Sequence, residues 1–472
     1  MSVAERPRGS RLAGDERTLS GWGRTGASRA LVCTPLAGAD VAETLSEGSS
    51  HGVIARGAGR SYGDAAQCRG GTVLDMRAMA GISAIDPARR TVTARAGTTI
   101  AQILAGLASH SLTLPVLPGT RHVTLAGAIA SDIHGKSHHH DGALARHVRE
   151  ISLCKPSGEI VRVDAESDPQ LFFATLGGMG LTGVILAATL QAISLPHPWL
   201  LEDSKRTSGL EQTLELLGGS EPHRYSVAWL DMLAPGASMG RGVLSAADPA
   251  GEDFDPPPRR RWPGAGGRSY PLSLSRPPVV GVSRTPSRGL LGVGAVRAFN
   301  AARWLAAPRS RQGHPVPYAP YFFPLDVVGD WNRLYGRGGL IQYQFVIPAG
   351  GESELRLCFE VLRGLPVYLA VFKRFGPAFG GPLSFPREGW TLAVDLPAAA
   401  EGVHASLDRL DDIVAACGGR VYLTKDSRLR REHLSTMYPE LPSFLALRER
   451  VDPGELLRSD LGSRLGLCRV CA

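Results

Sequence analysis

No run of about 18 apolar residues occurs, the length a membrane-crossing helix requires, so no bilayer-spanning helix is expected. The opening MSVAERPRGSRLAGDE has no apolar core of the secretory kind, and residues 1–18 read as a polar, flexible leader. Cysteines are few: Cys33, Cys68, Cys154, Cys358, Cys417, Cys468 and Cys471. They are scattered and odd in number, so no disulfide framework is implied. Cys468 and Cys471 form one CxxC without a second pair, and read as a tail rather than a zinc or redox site. No GxSxG elbow, P-loop or Cys–His pairing is present. His138-His139-His140 resembles a metal tract, but adjacent histidines diverge and no carboxylate cluster accompanies them; no metal is expected. The net charge of +8 is small for 472 residues and partly local, in Arg259-Arg260-Arg261 and from Arg297 to Arg311. No basic, aromatic-interleaved stripe exists, so nucleic acid is not an expected partner. An anionic membrane surface or a phosphorylated substrate suits the excess better.

What is present is ordinary in bulk. Hydrophobic residues make up 43% and charged residues 20%, as in a globular protein of two or three domains. The informative part is local. Pro115–His140, PVLPGTRHVTLAGAIASDIHGKSHHH, starts on Pro118-Gly119-Thr120 and ends on His134-Gly135-Lys136. A Gly/Thr turn followed by free N–H groups can cradle a pyrophosphate, and the HGK end would lie beside a cofactor's reactive part. A second such turn, Gly57 to Asp64, follows an apolar run, with Arg56 and Arg60 supplying charge. Gly178-Met179-Gly180-Leu181-Thr182-Gly183 matches GxGxxG, but a helix precedes it and a strand follows. That order is reversed from the nicotinamide fingerprint, so these glycines read as a turn lying against a ligand or another backbone. Three glycine-rich turns suit a long dinucleotide such as FAD.

Flavin chemistry asks the protein for placement, a base and polar groups near the ring. The candidate bases are His134, Lys136, Lys373 and Lys425. Lys373 and Lys425 each end an apolar strand, where partial burial would lower a lysine's pKa toward usefulness. Periodicity predicts helices at 100–108, 169–176, 207–217, 353–362, 403–417, 430–437 and 443–450. It predicts strands at 72–76, 91–94, 184–193, 225–233, 338–348, 367–372, 390–396 and 421–423, with a hairpin over 151–163. Residues 247–316, rich in Pro, Arg, Gly and Ser, read as mobile loops.

GWGRT at 21, ARGAGRSYGDAAQ at 55, LPVLPGTRHVT at 114, GAIASDIHGKSHH at 127, FFATLGGMGLTG at 172, LIQYQFVIP at 340, VFKRFGP at 371, PLSFPREGW at 382 and YLTKDSR at 422 carry a resemblance over nearly the whole chain. It is to the FAD-linked oxidases of the vanillyl-alcohol-oxidase, or PCMH, type, most closely the branch that oxidises C2′ of a polyprenyl-phosphoryl-β-D-ribose. The resemblance implies an α+β fold: a two-subdomain FAD-binding domain at 19–195, a substrate domain with a helix-covered antiparallel sheet at 196–415, and a segment at 416–472 returning to the FAD domain. It places the cofactor against Trp22; Ala55, Arg56, Gly57, Ala58, Gly59, Arg60, Ser61, Tyr62, Gly63, Asp64 and Ala65; Pro118, Gly119 and Thr120; Thr124, Leu125, Ala126 and Gly127; Ser131, Asp132, Ile133 and His134; Val184, Ile185 and Tyr422. It places substrate against Lys136, Gln344, Lys373, Thr391, Ala393 and Lys425. Lys425 is the favoured base, with His134 and Lys373 as further catalytic candidates. Relatives that bind FAD covalently carry a His where this chain has Arg60, so a non-covalent flavin is implied. So are an NAD(P)H-dependent keto-reductase partner, a membrane quinone as electron acceptor, and peripheral membrane contact on the cytoplasmic or periplasmic side.

Three departures fall on the substrate side. The family's active-site thiol is Ala393 here, a neighbouring amide is Thr391, and a Tyr-His pair is Phe322-Phe323. An oxygen-using alditol or sugar oxidase of the same fold, and a catalytically silent cell-wall scaffold, are the alternative readings.

Overall fold

The computed structural model describes residues 12–220, 222–255, 280–282, 285–287 and 289–469. Strand Ala27–Cys33 buries Ser28, Ala30 and Val32 while exposing the residues between, the alternation of a strand covered on one face. It sits in a four-stranded sheet, ordered Gly14–Ser20, Ala27–Cys33, Thr72–Asp75, Val53–Arg56. The leader expected through residue 18 therefore already contains a paired strand. A second, five-stranded sheet runs Ile82–Asp86, Thr91–Arg95, Val184–Gln191, Val148–Cys154, Ile160–Val163.

Helix Ile100–Ala108 covers the span its spacing predicts and buries Ile100, Ile103, Leu104 and Leu107. Each such side chain contributes about 1.5–3 kcal/mol by burial. Its start is set by a reciprocal cap: the Thr99 amide donates to Gln102 Oε1 at 2.8 Å, and the Gln102 amide to Thr99 Oγ1 at 3.3 Å. The short helix Leu125–Ala130 begins at Thr124, whose hydroxyl accepts from the Gly127 amide. That fixes the turn before it, 118–124, against the second sheet.

The third sheet has eight antiparallel strands in the order Ser310–Pro317, Trp199–Thr207, Arg241–Pro249, Tyr225–Asp231, Leu369–Phe375, Gly389–Pro397, Leu340–Pro348, Arg420–Val421. Helices Leu210–Gly218, Glu352–Leu362 and Val403–Ala416 pack on it. Thr207 ends a strand rather than opening a helix, because Gly209 stands before the helix at Leu210. Residues 247–316 are not loop throughout. The strand Arg241–Pro249 enters this stretch, and helix Val293–Ala306 and strand Ser310–Pro317 lie within it. Val296 and Asn300 hold the helix by burial, while residues 256–279 fall outside the described set.

The last fifty or so residues lie against the first sheet. Val53 bridges Leu457, Arg464 pairs with Asp64 at 2.8 Å and with Asp426 at 2.9 Å, and Arg448 donates to the Leu181 carbonyl at 3.0 Å. Three backbones meet at the Gly57–Asp64 turn. Trp22 donates to the Ser61 carbonyl at 2.7 Å, and Tyr62 donates to the Thr424 carbonyl at 2.9 Å. A side chain at Gly63 would stand 1.9 Å from the Asp426 carbonyl oxygen, so this crossing requires glycine.

Candidate active site

A cleft of about 300 Å³ runs between the first two sheets and one face of the eight-stranded one. The turns Gly57–Tyr62 and Pro118–Thr120 line one stretch of it. The amides of Ala58, Gly59, Arg60, Ser61, Gly119 and Thr120 donate to no protein group among the described residues. Gly59 has φ +64°, the left-handed conformation that turns successive amides to one side. Arg60 stacks over Trp22, 3.8 Å from the ring centre, and Trp331 meets Trp22 edge-on at 6.0 Å. Met179, Gly180 and Gly183 also line the cleft. The reversed GxGxxG turn therefore does lie along it.

The other stretch is built by strand alternation. On Leu369–Phe375, residues Leu369, Val371 and Lys373 face the cleft. On Leu340–Pro348, Gln342 and Gln344 do so, and on Gly389–Pro397, Ala393. The register sets Gln344 and Val371 on either side of Ala393, and Gln342 beside Asp395.

Lys425 reaches this patch from the turn after Tyr422. Its Nζ donates to Gln342 Oε1 and lies 4.2 Å from the centre of the Tyr62 ring. Gln342 Nε2 in turn donates to Asp395 Oδ1 at 2.5 Å. Burial pushes the Lys425 ammonium down to about 7, with Asp395 pulling it back up. Burial raises Asp395 to about 6. Lys373, lowered by burial to about 8, has no protein partner among the described residues. His134 is 8% exposed, and burial, aided by Lys373, drives its pKa well below the ordinary value. Its Nε2 sits 2.8 Å from Gln344 Nε2, which can only donate, so the neutral ring carries its proton on Nδ1. Tyr422 donates to the Ser131 carbonyl at 2.8 Å, closing the wall between them.

Most residues singled out from the sequence line this one cleft: Trp22, Ala55, Gly57 to Tyr62, Ala65, Pro118 to Thr120, Thr124, Ala126, Gly127, Ser131, Ile133, His134, Ile185, Gln344, Lys373, Ala393, Tyr422 and Lys425. Eight do not. Arg56 turns away to the carbonyls of Ala66 and Ser20. Gly63 is closed off by the Asp426 backbone, and Asp64 is bound to Arg464. Leu125 and Val184 are core, each 0% exposed. Asp132 accepts from the Ala145 amide and from Ser384 Oγ, and burial raises it to about 7. Thr391 is 0% exposed and donates to the Phe345 carbonyl. Lys136 donates to the Tyr321 carbonyl at 2.5 Å with its Nζ 3.8 Å from that ring's centre, so its ammonium is engaged outside the cleft. The sequence reading missed Gln342, Asp326, Trp331, Leu369, Val371 and Thr424. Alternation from Gln344 would have reached Gln342.

The FAD binding domain family matches residues 30–164, the stretch holding both turns with free amides. The chain is 37% identical over 459 residues to a decaprenylphosphoryl-β-D-ribose oxidase of Mycolicibacterium smegmatis, covering 96% of this chain and 98% of that protein. This chain belongs to the decaprenylphosphoryl-β-D-ribose oxidase family. It is an FAD-dependent oxidoreductase. An L-gulonolactone oxidase of Mus musculus is 31% identical over 186 residues, 39% of this chain and 41% of that one. An alditol oxidase of a Streptomyces species is 29% identical over 160 residues, 34% and 38% of the two chains. This chain's own residues fit the cofactor: six amides without a protein partner among the described residues for its diphosphate, and an apolar-walled cleft leading to half-buried lysines. No helix among the described residues is long and apolar enough to cross a membrane.

Proposed function

We propose that the chain oxidises the C2′ hydroxyl of a polyprenyl-phosphoryl-β-D-ribose to the 2′-ketone, with Lys425 as the base. The observation that carries this is the placement of Lys425: a half-buried lysine lining the cleft, bonded to Gln342 and through it to Asp395, with its pKa lowered to about 7. The substrate class rests on the relative's name and on the cationic lining.

FAD, when bound, supplies the acceptor for the C2′ hydride. The free amides of the 58–61 and 119–120 turns would hold its diphosphate. Burial lowers the Lys425 pKa to about 7, which favours the neutral amine, and its Nζ takes the hydroxyl proton. Gln342 keeps the amine aimed by accepting one of its hydrogens. Lys373, in the same lining and without a hydrogen-bond or ion-pair partner among the described residues, binds oxygen on the substrate. Neutral His134, accepting from Gln344 at Nε2, shapes the wall. Among the described residues lining the cleft there is no cysteine, and His134 is the one histidine. With Arg60 in the turn, this supports a flavin held without a covalent bond.

The keto sugar then passes to an NAD(P)H-dependent reductase, giving the arabinose epimer used for cell-wall arabinan. Electrons leave to a membrane quinone, and the protein works in peripheral contact with a membrane. Anaerobic flavin bleaching tests the reading: polyprenyl-phosphoryl ribose should bleach the holoenzyme. No bleaching by it, with peroxide released from free alditols in air, would overturn the proposal.

A further inference from the structure

Helix Val293–Ala306 is apolar on the side that faces water. Its inner face is held by buried Val296 and Asn300, with Asn300 donating to Asp231 at 3.1 Å and Trp304 to the Thr207 carbonyl at 2.9 Å. A surface helix normally carries charge and amides on the opposite face. Here, at about 100° per residue, the outer arc presents Ala295, Ala298, Phe299, Ala302, Leu305 and Ala306, all exposed. Phe299 is 63% exposed and Leu305 66%, and Leu290 just before the helix is 65% exposed. Large side chains left so open on one arc mark a contact surface rather than scatter.

The charge beside that arc has one sign. Arg303, 4.8 Å over the Trp229 ring, borders it on one side and Arg309 follows its C-terminal end, while Arg297 lies nearer the inner face and donates to the Leu233 carbonyl at 3.2 Å. From Gly289 to Leu325 the chain has no Asp or Glu. A second copy of this surface would bring arginine against arginine, so self-association is the wrong occupant. An apolar arc rimmed by arginines is what lies in the interface of an anionic bilayer.

The helix is also joined to the cleft. Leu291 packs on the cluster of Tyr62, Tyr335 and Leu340, beside Trp22 and Trp331, and its carbonyl accepts from Tyr368. Trp22, Tyr62 and Trp331 line the cleft.

We propose that helix Val293–Ala306 docks the enzyme on anionic phospholipid, with Phe299 and Leu305 inserted among the acyl chains and arginines on the phosphates. This names the element and lipid behind the membrane contact proposed above. A substrate with a polyprenyl tail would then enter the cleft without leaving the bilayer.

Cosedimentation of the holoenzyme with vesicles tests it. Binding should be tighter to phosphatidylcholine mixed with phosphatidylglycerol than to phosphatidylcholine alone, and weaken with salt. The double variant Phe299→Ser, Leu305→Ser should lose on the order of 10-fold or more in partition. Arg309→Ser should weaken binding to the mixed vesicles alone. Equal binding of wild type and double variant, or no binding of wild type to anionic vesicles, overturns the proposal. So does a lipid-free dimer that the double variant abolishes. Both substitutions lie outside the cleft, so turnover of a water-soluble, short-chain prenyl-phosphoryl ribose should be unchanged. If no such substrate is turned over yet docking is lost as expected, the catalytic reading fails and the docking surface stands.

Discussion

Lys425 and Asp395 share one amide: Gln342 accepts from the first and donates to the second. The carboxylate therefore acts on the amine without neutralising it by contact. Replacing Lys425 by Ala should leave FAD bound, because the free-amide turns are elsewhere. Flavin reduction by substrate should fall by roughly 10²–10⁴, the usual worth of a positioned base. Anaerobic stopped-flow absorbance checks this. Unchanged reduction would transfer the role to Lys373 or His134.

The same relationship sets a pH dependence. The base works unprotonated, so reduction should rise with pH through the Lys425 pKa, near 7. Asp395 raises that pKa by favouring the ammonium. Asp395→Asn should thus move the acid limb of the pH–rate profile to lower pH while keeping the bond to Gln342. A limb that stays put, or moves up, removes Asp395 from the relay.

Ala393 lies in the cleft between Gln344 and Val371. Ala393→Cys should create a thiol that cleft-directed electrophiles capture, blocking substrate reduction. Wild type should resist the same reagents. Intact-mass spectrometry with and without reagent reads the difference.

Gly63 has no room for a methyl group, since the Asp426 carbonyl occupies its place. Gly63→Ala should destabilise the fold by about 1–3 kcal/mol, as overpacking does. It should also lower the fraction of purified protein that carries flavin. Thermal melting and the ratio of flavin to protein absorbance measure both.

The elements with clear periods were legible in the sequence. Ile100, Ile103, Leu104 and Leu107 mark a helix, and Thr99 with Gln102 marks its start. The turns that line the cleft were legible because glycine and threonine runs have few uses. Helix Val293–Ala306 was not, for a physical reason: its outer arc is as apolar as its inner one, so no polar period sets it apart from the Pro- and Arg-rich stretch around it. Asp395 was hidden likewise. It stands inside an apolar strand, and only register brings it to Gln342. Lys136 follows His134 closely in sequence, yet the chain turns at Gly135, packed on the Leu117 carbonyl, and sets the lysine against Tyr321.

The Tyr62 amide hangs on the Thr424 carbonyl, and Asp64 is gripped by Arg464. A ribosome makes these partners hundreds of residues apart. The glycine-rich turn thus has no finished support until the stretch carrying Thr424 and Arg464 emerges, and a product terminated before it should be colourless and quickly degraded.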